Sequence, residues 1–264
     1  MIKHILIKIN WILEEQFGLN IRRLGQAFFK LPEYILDYRK FSRLYRGRIE
    51  LKPCLFDNVS QDNQVLNEYF WQDLYVAQQI FQKAPKRHVD IGSRLDGFVG
   101  HIAAFRQLEV IDIRANNTVI PNVTYRQLDI TKIDLNKTPC DLTGLQCDSL
   151  SCLHVIEHFG LGRYGDEISL DGLQSGLRSL SQLLLKDGIL YLSTPIGKEK
   201  VEFNANWIFS PYSVIEIAKS HGLVLFKLTV VNSSKASVDL DIRTSLSSLE
   251  NEDYQLGIFE FKKA

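Results

Sequence analysis

The chain lacks an excess of either charge: its 264 residues carry 31 Lys+Arg and 31 Asp+Glu. With no global field to attract a polyanion, nucleic acid is not expected as a partner. Long apolar runs are missing too, because no stretch reaches the roughly 20 residues that a membrane-spanning helix requires. Cysteine is scarce. The four present, Cys54, Cys140, Cys147 and Cys152, form no C-x-x-C pair, which excludes a disulfide scaffold. They are expected as small core residues in a reducing cytoplasm, with no metal held. Internal repeats and low-complexity tracts are also absent.

What is there suits a folded domain with an appendage. Hydrophobic residues make up 45% of the chain, enough for one sizeable core plus an extension. Residues 1–52 hold eleven basic residues against five acidic ones, so the N-terminal fifth is basic. Such a segment reads either as a solvated helical face or as a surface that docks to an anionic membrane or acidic partner. The opening MIKHILIKINWILEEQFG has Lys8 inside its apolar run and Glu14-Glu15 where a signal peptidase would need small residues. It is expected to be a retained amphipathic helix, leaving the protein soluble or peripheral to the membrane.

Periodicity changes near Pro85. Before it, Ile5, Ile9, Ile12 and Leu13, then Leu24, Phe28, Phe29 and Leu31, recur at helical spacing, and residues 67–83 form another helical segment with Tyr69, Phe70 and Trp71. After it, strands are expected at 88–91, 108–113, 123–129, 149–154 and 188–193, with helices at 97–106, 170–185 and 211–220, and two final strands at 223–231 and 254–261. The expected organisation is an N-terminal helical extension over 1–84 and a Rossmann-like α/β domain over 85–264. Its sheet is mostly parallel, and one of the two consecutive terminal strands runs antiparallel.

Doubly wound sheets bind ligands beyond the carboxyl ends of their central strands, so the first strand end is the place to look. There the chain reads His88-Val89-Asp90-Ile91-Gly92-Ser93-Arg94-Leu95-Asp96-Gly97. Gly92 permits a close turn, Gly97 would open a helix whose amides favour a carboxylate, and Asp90 is placed to accept from an ammonium group. Asp112 lies twenty positions after Gly92, where an adenosine ribose needs an acidic acceptor. Asp129 ends the third strand with Ile130 beside it, positions suited to an adenine ring. One such aspartate is common at turns and caps; three in order point to an adenosine ligand. Arg94 stands where G-x-G-x-x-G would place its second glycine, which disfavours the pyrophosphate of NAD.

The stretches HVDIGSRLDGFVG, HVIEHFGLGRYGD, LKDGILYLSTPIG and VEFNANWIFSP, preceded by YFWQDLYVAQQIF, resemble a domain-of-unknown-function family related to class I S-adenosylmethionine-dependent methyltransferases. The resemblance covers roughly residues 50 to 240. It implies S-adenosylmethionine as cofactor, with Asp90, Gly92, Ser93, Arg94 and Gly97 around the methionine end. Asp112 and Ile113 would then meet the ribose, Asp129 and Ile130 the adenine, and His154 the cofactor from the end of the fourth strand. A small polar or glycan acceptor, a sugar hydroxyl in particular, is the expected substrate.

His154-Val155-Ile156-Glu157-His158 sits where the acceptor would meet the methyl group. His158 is the candidate general base, oriented by Glu157 or Asp166. Alternatively His158 caps a turn while Glu157 pairs with Arg163. The same residues match H-x-x-E-H, so a zinc hydrolase using His154, Glu157 and His158 is a rival reading, although an apolar strand precedes them rather than a helix. A third reading is a binding or scaffold module that kept the fold without the chemistry. Phe159–Gly172 and Phe203–Trp207 are candidate covers, and Tyr69, Trp71 and Asp73 could close the far side of the cleft.

Overall fold

Strands flanked by helices on two sides are buried in both directions, and the innermost strands here are. The computed structural model describes residues 11–45, 49, 51, 67–132, 144–162, 164–202, 205–231, 238–239 and 242–264. Residues 1–10, Cys54, Cys140, Arg163 and Phe203 lie outside that set, and the readings placed on them go no further. The chain divides into two units, Met1–Gln64 and Val65–Ala264.

In the first unit, residues 11–17 are helical and α1 runs Ile21–Leu44 with Pro32 inside it. Phe28, Phe29, Phe41 and Leu44 are exposed on it, and Lys30–Glu33 and Lys40–Asp37 pair along its surface. No helix among the described residues is long and apolar enough to cross a membrane.

The second unit begins with α2 (Glu68–Lys83), the helical segment that the sequence grouped with the extension. Asn67 caps it, its side-chain oxygen accepting from Phe70 N at 3.1 Å. The strands follow as β1 (His88–Ile91), β2 (Leu108–Asp112), β3 (Val123–Gln127), β4 (Cys147–Leu153) and β5 (Leu184–Ile196). A hairpin of β6 (Lys200–Glu202) and β7 (Asn206–Ile208) comes next, then β8 (Leu223–Val231), β9 (Val238–Asp239) and β10 (Gln255–Lys263). The main sheet has the order β3-β2-β1-β4-β5-β10-β8-β9. The first five strands in that order pair in parallel, whereas β10 is antiparallel to both neighbours, as expected of one terminal strand.

Between β1 and β2 a π-helical turn, Leu95–Val99, leads into the short α3 (Gly100–Ala103). The remaining helices are α4 (Gly172–Leu183), α5 (Pro211–Ser220) and α6 (Ile242–Leu249). One core cluster joins Leu150, Leu190 and Phe259 to Leu177 of α4 and Val214 of α5. The other joins Val110, Tyr191 and Ile258 to Ile80 of α2 and to Phe98 and Ile102. Helices therefore cover both faces, and strand order reverses between β1 and β4, which opens a crevice at their carboxyl ends. Cys147 and Cys152 are free and buried in the first cluster.

Two anchors hold the flanking helices to the sheet. On the α2 side the buried Glu260 of β10 accepts from Tyr75 Oη at 2.6 Å and pairs with Lys83 at 3.3 Å. On the α4 side, Gly172 and Gly176 leave room for the turn after β4. A Cβ at Gly172 would lie 2.3 Å from Phe159 O, and one at Gly176 would lie 3.0 Å from Ile156 Cδ1.

Candidate functional site

The turn after β1 forms the floor of the crevice. Gly92 has φ +67°, a conformation that glycine adopts without strain, and its N–H donates to Ile111 O at 2.8 Å. In the parallel register, Asp90 lies opposite Ser151 and His88 opposite Ser149. These four side chains make a polar row inside the sheet. His88 Nδ1 lies 2.8 Å from Ser149 Oγ and Nε2 lies 3.1 Å from Ser151 Oγ, while Ser151 Oγ donates to Asp90 Oδ1 at 2.5 Å. Asp90 also accepts from Ser93 N at 3.0 Å and Ser93 Oγ at 2.7 Å. Burial pushes its carboxyl up to about 6 against those hydrogen bonds.

This corrects one expectation. Asp90 is fully buried, and its oxygens are spent on holding the Gly92-Ser93 turn rather than presented to a ligand. Gly97 is displaced as well, because the carboxylate of Asp73 occupies the space beside it; a Cβ there would lie 2.5 Å from Asp73 Oδ2. Asp73 itself lines the cavity, and burial raises its pKa.

Above the turn lies a cavity of about 390 Å³, within the size range of small-molecule sites. Gly92, Ser93, Arg94, Asp112, Ile113, Asp129, Ile130 and His154 all line it, so the three consecutive strand ends singled out in the sequence do converge. Asp112 already has a partner: Arg114 reaches its Oδ1 at 3.0 Å and its Oδ2 at 2.6 Å, with the arginine side chain 56% exposed. Asp129 Oδ1 accepts from Thr131 N and Oγ1, and those bonds with Lys132 outweigh burial to lower its pKa. Arg94 pairs with Asp96 and lies over the Tyr69 ring at 5.6 Å.

At the end of β4 the backbone turns sharply, with His154 at φ +55°. His154 Nδ1 donates to Glu157 Oε1 at 2.7 Å, and Nε2 faces Glu68 Oε1 at 3.5 Å. Burial alone would depress this histidine, but the two carboxylates override it and push the pKa up to about 9. His158 points elsewhere: its Nδ1 lies 2.8 Å from Ala205 O and must donate to it, since a carbonyl only accepts.

The expected orienting groups are therefore corrected. Glu157 serves His154, and a backbone carbonyl orients His158. Asp166 is a loop organiser, its Oδ2 accepting from Gly160 N at 2.8 Å and Gly162 N at 3.3 Å. The H-x-x-E-H reading fails on geometry, because Ile156–His158 is a single 3-10 turn after a strand and the two imidazoles are directed to different partners. No group of three or more His, Cys, Asp or Glu side chains able to hold a metal occurs among the described residues.

With that geometry in place, comparison with known proteins is informative. Residues 101–258 match the family described as Caenorhabditis protein of unknown function, DUF268. The chain belongs to the DUF268 family. No curated protein matches it. Among solved structures, this DUF268 chain is similar to the O-methyltransferase of a trans-AT polyketide synthase multienzyme from Brevibacillus brevis, in complex with S-adenosyl-L-homocysteine. That likeness has 16% identity and a TM-score of 0.50, over 74% of this chain and 72% of the other. It is also similar to the N-methyltransferase NodS from Bradyrhizobium japonicum, at 11% identity and a TM-score of 0.47 over 75% and 89% of the two chains. The likeness to the Brevibacillus enzyme is one of fold, and with the observed strand order that fold is the Rossmann-like class I methyltransferase sheet.

Cavity residues of the DUF268 chain that the sequence did not single out include Glu68, Gln72 and Tyr254, while Asn206 lies in the expected cover 203–207. Glu68 carried a usable signal, an acidic residue directly after the Asn67 cap. Tyr254 carried none, because it joins the site by donating to Glu68 Oε1 at 2.6 Å across 186 residues of chain. Tyr69 and Asp73 line the cavity as expected, whereas Trp71 packs against the second core cluster.

Proposed function

We propose that this DUF268 chain is an S-adenosylmethionine-dependent methyltransferase acting on a small polar acceptor, a sugar hydroxyl in glycan biosynthesis. The observation that carries the reading is the meeting of Gly92, Asp112 and Asp129, from three consecutive strand ends, on one cavity of about 390 Å³. The donor set fits the cofactor. Asp112 offers carboxylate oxygens to the ribose once Arg114 yields, and Leu128, Ile113 and Ile130 supply apolar surface beside Asp129 for the adenine. Ser93, Arg94 and Asp73 face the methionine end, with Asp73 taking the part first given to Asp90. The Brevibacillus neighbour of the same fold is described with bound S-adenosyl-L-homocysteine, which supports the choice.

S-adenosylmethionine, when bound, supplies a methyl group already activated on a sulfonium, so the protein's contribution is alignment and proton removal. His158 is the proposed general base. With Nδ1–H committed to Ala205 O, a neutral imidazole carries its basic lone pair on Nε2. Titration calorimetry with S-adenosylmethionine tests the reading: saturable one-to-one binding is expected, and no binding at millimolar ligand would sink it.

The basic 1–52 region and the exposed Phe28 and Phe29 of α1 support a peripheral contact with an anionic membrane from the cytoplasmic side. Sedimentation with phosphatidylserine vesicles should carry the full chain down at low salt and release it at high salt. Recovery of the chain in the supernatant at every salt concentration would end that part of the proposal. A second reading, a binding module without transfer, is favoured by the Arg114 pairing that occupies both oxygens of Asp112. It predicts that the chain never converts bound S-adenosylmethionine to S-adenosylhomocysteine with any hydroxylated acceptor.

A further inference from the structure

Glu68, the pair His154 and Glu157, and Tyr254 come from three separate stretches of chain and meet on the cavity wall at the end of β4. Tyr254 Oη donates to Glu68 Oε1 at 2.6 Å, and His154 Nδ1 donates to Glu157 Oε1 at 2.7 Å. Two carboxylates facing one imidazole keep that imidazole protonated, so the cluster holds two negative charges against one positive charge. Glu157 is 1% exposed, and its second oxygen, Oε2, has no hydrogen-bond partner among the described residues. A buried carboxylate oxygen without a donor is costly, and an arrangement that keeps one at a cavity wall leaves it for a ligand to satisfy. Tyr69 closes the cluster, its ring 4.5 Å from that of His154.

The chemistry of the partner follows from this inventory. A hydroxyl would satisfy Glu157 Oε2 yet leave the net negative charge uncompensated. A carboxylate or phosphate would be repelled. An ammonium group both donates to Oε2 and balances the charge.

We propose that Glu157, with Glu68 and His154, forms a docking subsite for a protonated amine carried by the acceptor, which is therefore an amino alcohol of the amino-sugar type. The proposal deepens the methyltransferase reading, and rests on it in taking the bearer of the amine to be the methyl acceptor. The amine is a binding handle rather than the methylated atom, because a protonated nitrogen has no lone pair to attack with. The hydroxyl is left to face His158.

The test is saturation-transfer NMR on the full chain with the methyl glycosides of glucosamine, glucose and glucuronic acid at equal millimolar concentration. Calorimetry with S-adenosylhomocysteine is run alongside. The amino glycoside should bind at least roughly tenfold more tightly than the glucoside, as a charge-assisted hydrogen bond implies, with the uronide weakest. Glu157→Gln should remove the preference, and Glu68→Gln serves if that variant does not fold. Equal binding of glucoside and amino glycoside overturns the subsite, as do a preference for the uronide, a preference that survives the substitutions, and failure of the amino glycoside to bind. The two readings fail separately. An amine preference that depends on Glu157, without S-adenosylhomocysteine binding, keeps the subsite and removes the methyltransferase reading; cofactor binding without the preference does the reverse.

Discussion

Glu157 Oε1 lies 2.7 Å from His154 Nδ1, so this buried carboxylate is committed to the histidine three positions before it and not to the adjacent His158. The pairing separates two histidines that the sequence presents as a cluster. One is a cation clamped between acids, and the other is fixed by a backbone carbonyl.

The clamp has a pH signature. The folded-state pKa of His154 is raised from 6.5 to about 9, so the stability it contributes is full below pH 6.5 and lost as pH rises through about 9. The unfolding free energy of the native chain should therefore fall over that window relative to His154→Gln, measured by urea denaturation on either side of it. In NMR titration the His154 imidazole should show its midpoint near 9, and Glu157→Gln should move it down. A midpoint near the ordinary histidine value in the native chain would refute the clamp.

Asp112 tests the cofactor reading at a single carboxylate. Replacing it with Asn should weaken S-adenosylmethionine and S-adenosylhomocysteine about equally, roughly tenfold or more, as expected for a lost hydrogen bond to a charged group. Arg114→Ala should hold or raise the affinity, since it releases the same oxygens that Arg114 now grips at 2.6 and 3.0 Å. Calorimetry reads both, and unchanged binding in Asp112→Asn would remove this residue from the site.

Gly160 is a place where no other residue fits. Its φ is +78°, and a Cβ would lie 2.0 Å from Ser169 O, so the loop that Asp166 organises has to shift. Gly160→Ala should cost about 1–3 kcal/mol from backbone conformation alone, with the clash in addition. The urea midpoint measures the loss, and a variant as stable as the native chain would contradict the loop geometry.

Lys83 holds α2 to the sheet through the buried Glu260, at 3.3 Å. Lys83→Met should destabilise the fold by about 1–3 kcal/mol, because a carboxylate that is 1% exposed loses its bond to the lysine. Replacing Glu260 with Gln in the same background should recover part of that loss, which a double-mutant cycle in urea would measure.

Much of the architecture was legible because local pattern and burial agree. β1, β4 and β10 are runs of strand length with apolar residues interspersed along them, and their burial on both faces is what an inner strand of a covered sheet requires. The elements that escaped were short. The three-residue strands β6 and β7 are mostly outside the core, and nothing in so brief a stretch imposes a period. α2 was visible as a helix, but its attachment to the sheet was not, since Tyr75 and Lys83 meet Glu260 only across nearly the whole domain.

The site divides along the same line. Asp90 and Asp112 look alike in the sequence, each at or near the end of an apolar strand, and only the sheet register distinguishes them. Pairing with β4 sets Asp90 opposite Ser151 and buries it, whereas Asp112 ends β2 at the cavity. The linear chain by itself determined the strand order's raw material, the glycine turn at Gly92 and the spacing of the strand-end acids, because these depend on neighbours a few residues apart. Tertiary structure alone decided which acids face the ligand, which histidine carries charge, and that Glu68 and Tyr254 join them. Those outcomes depend on burial and on Coulombic contacts between residues that only folding brings within hydrogen-bonding distance.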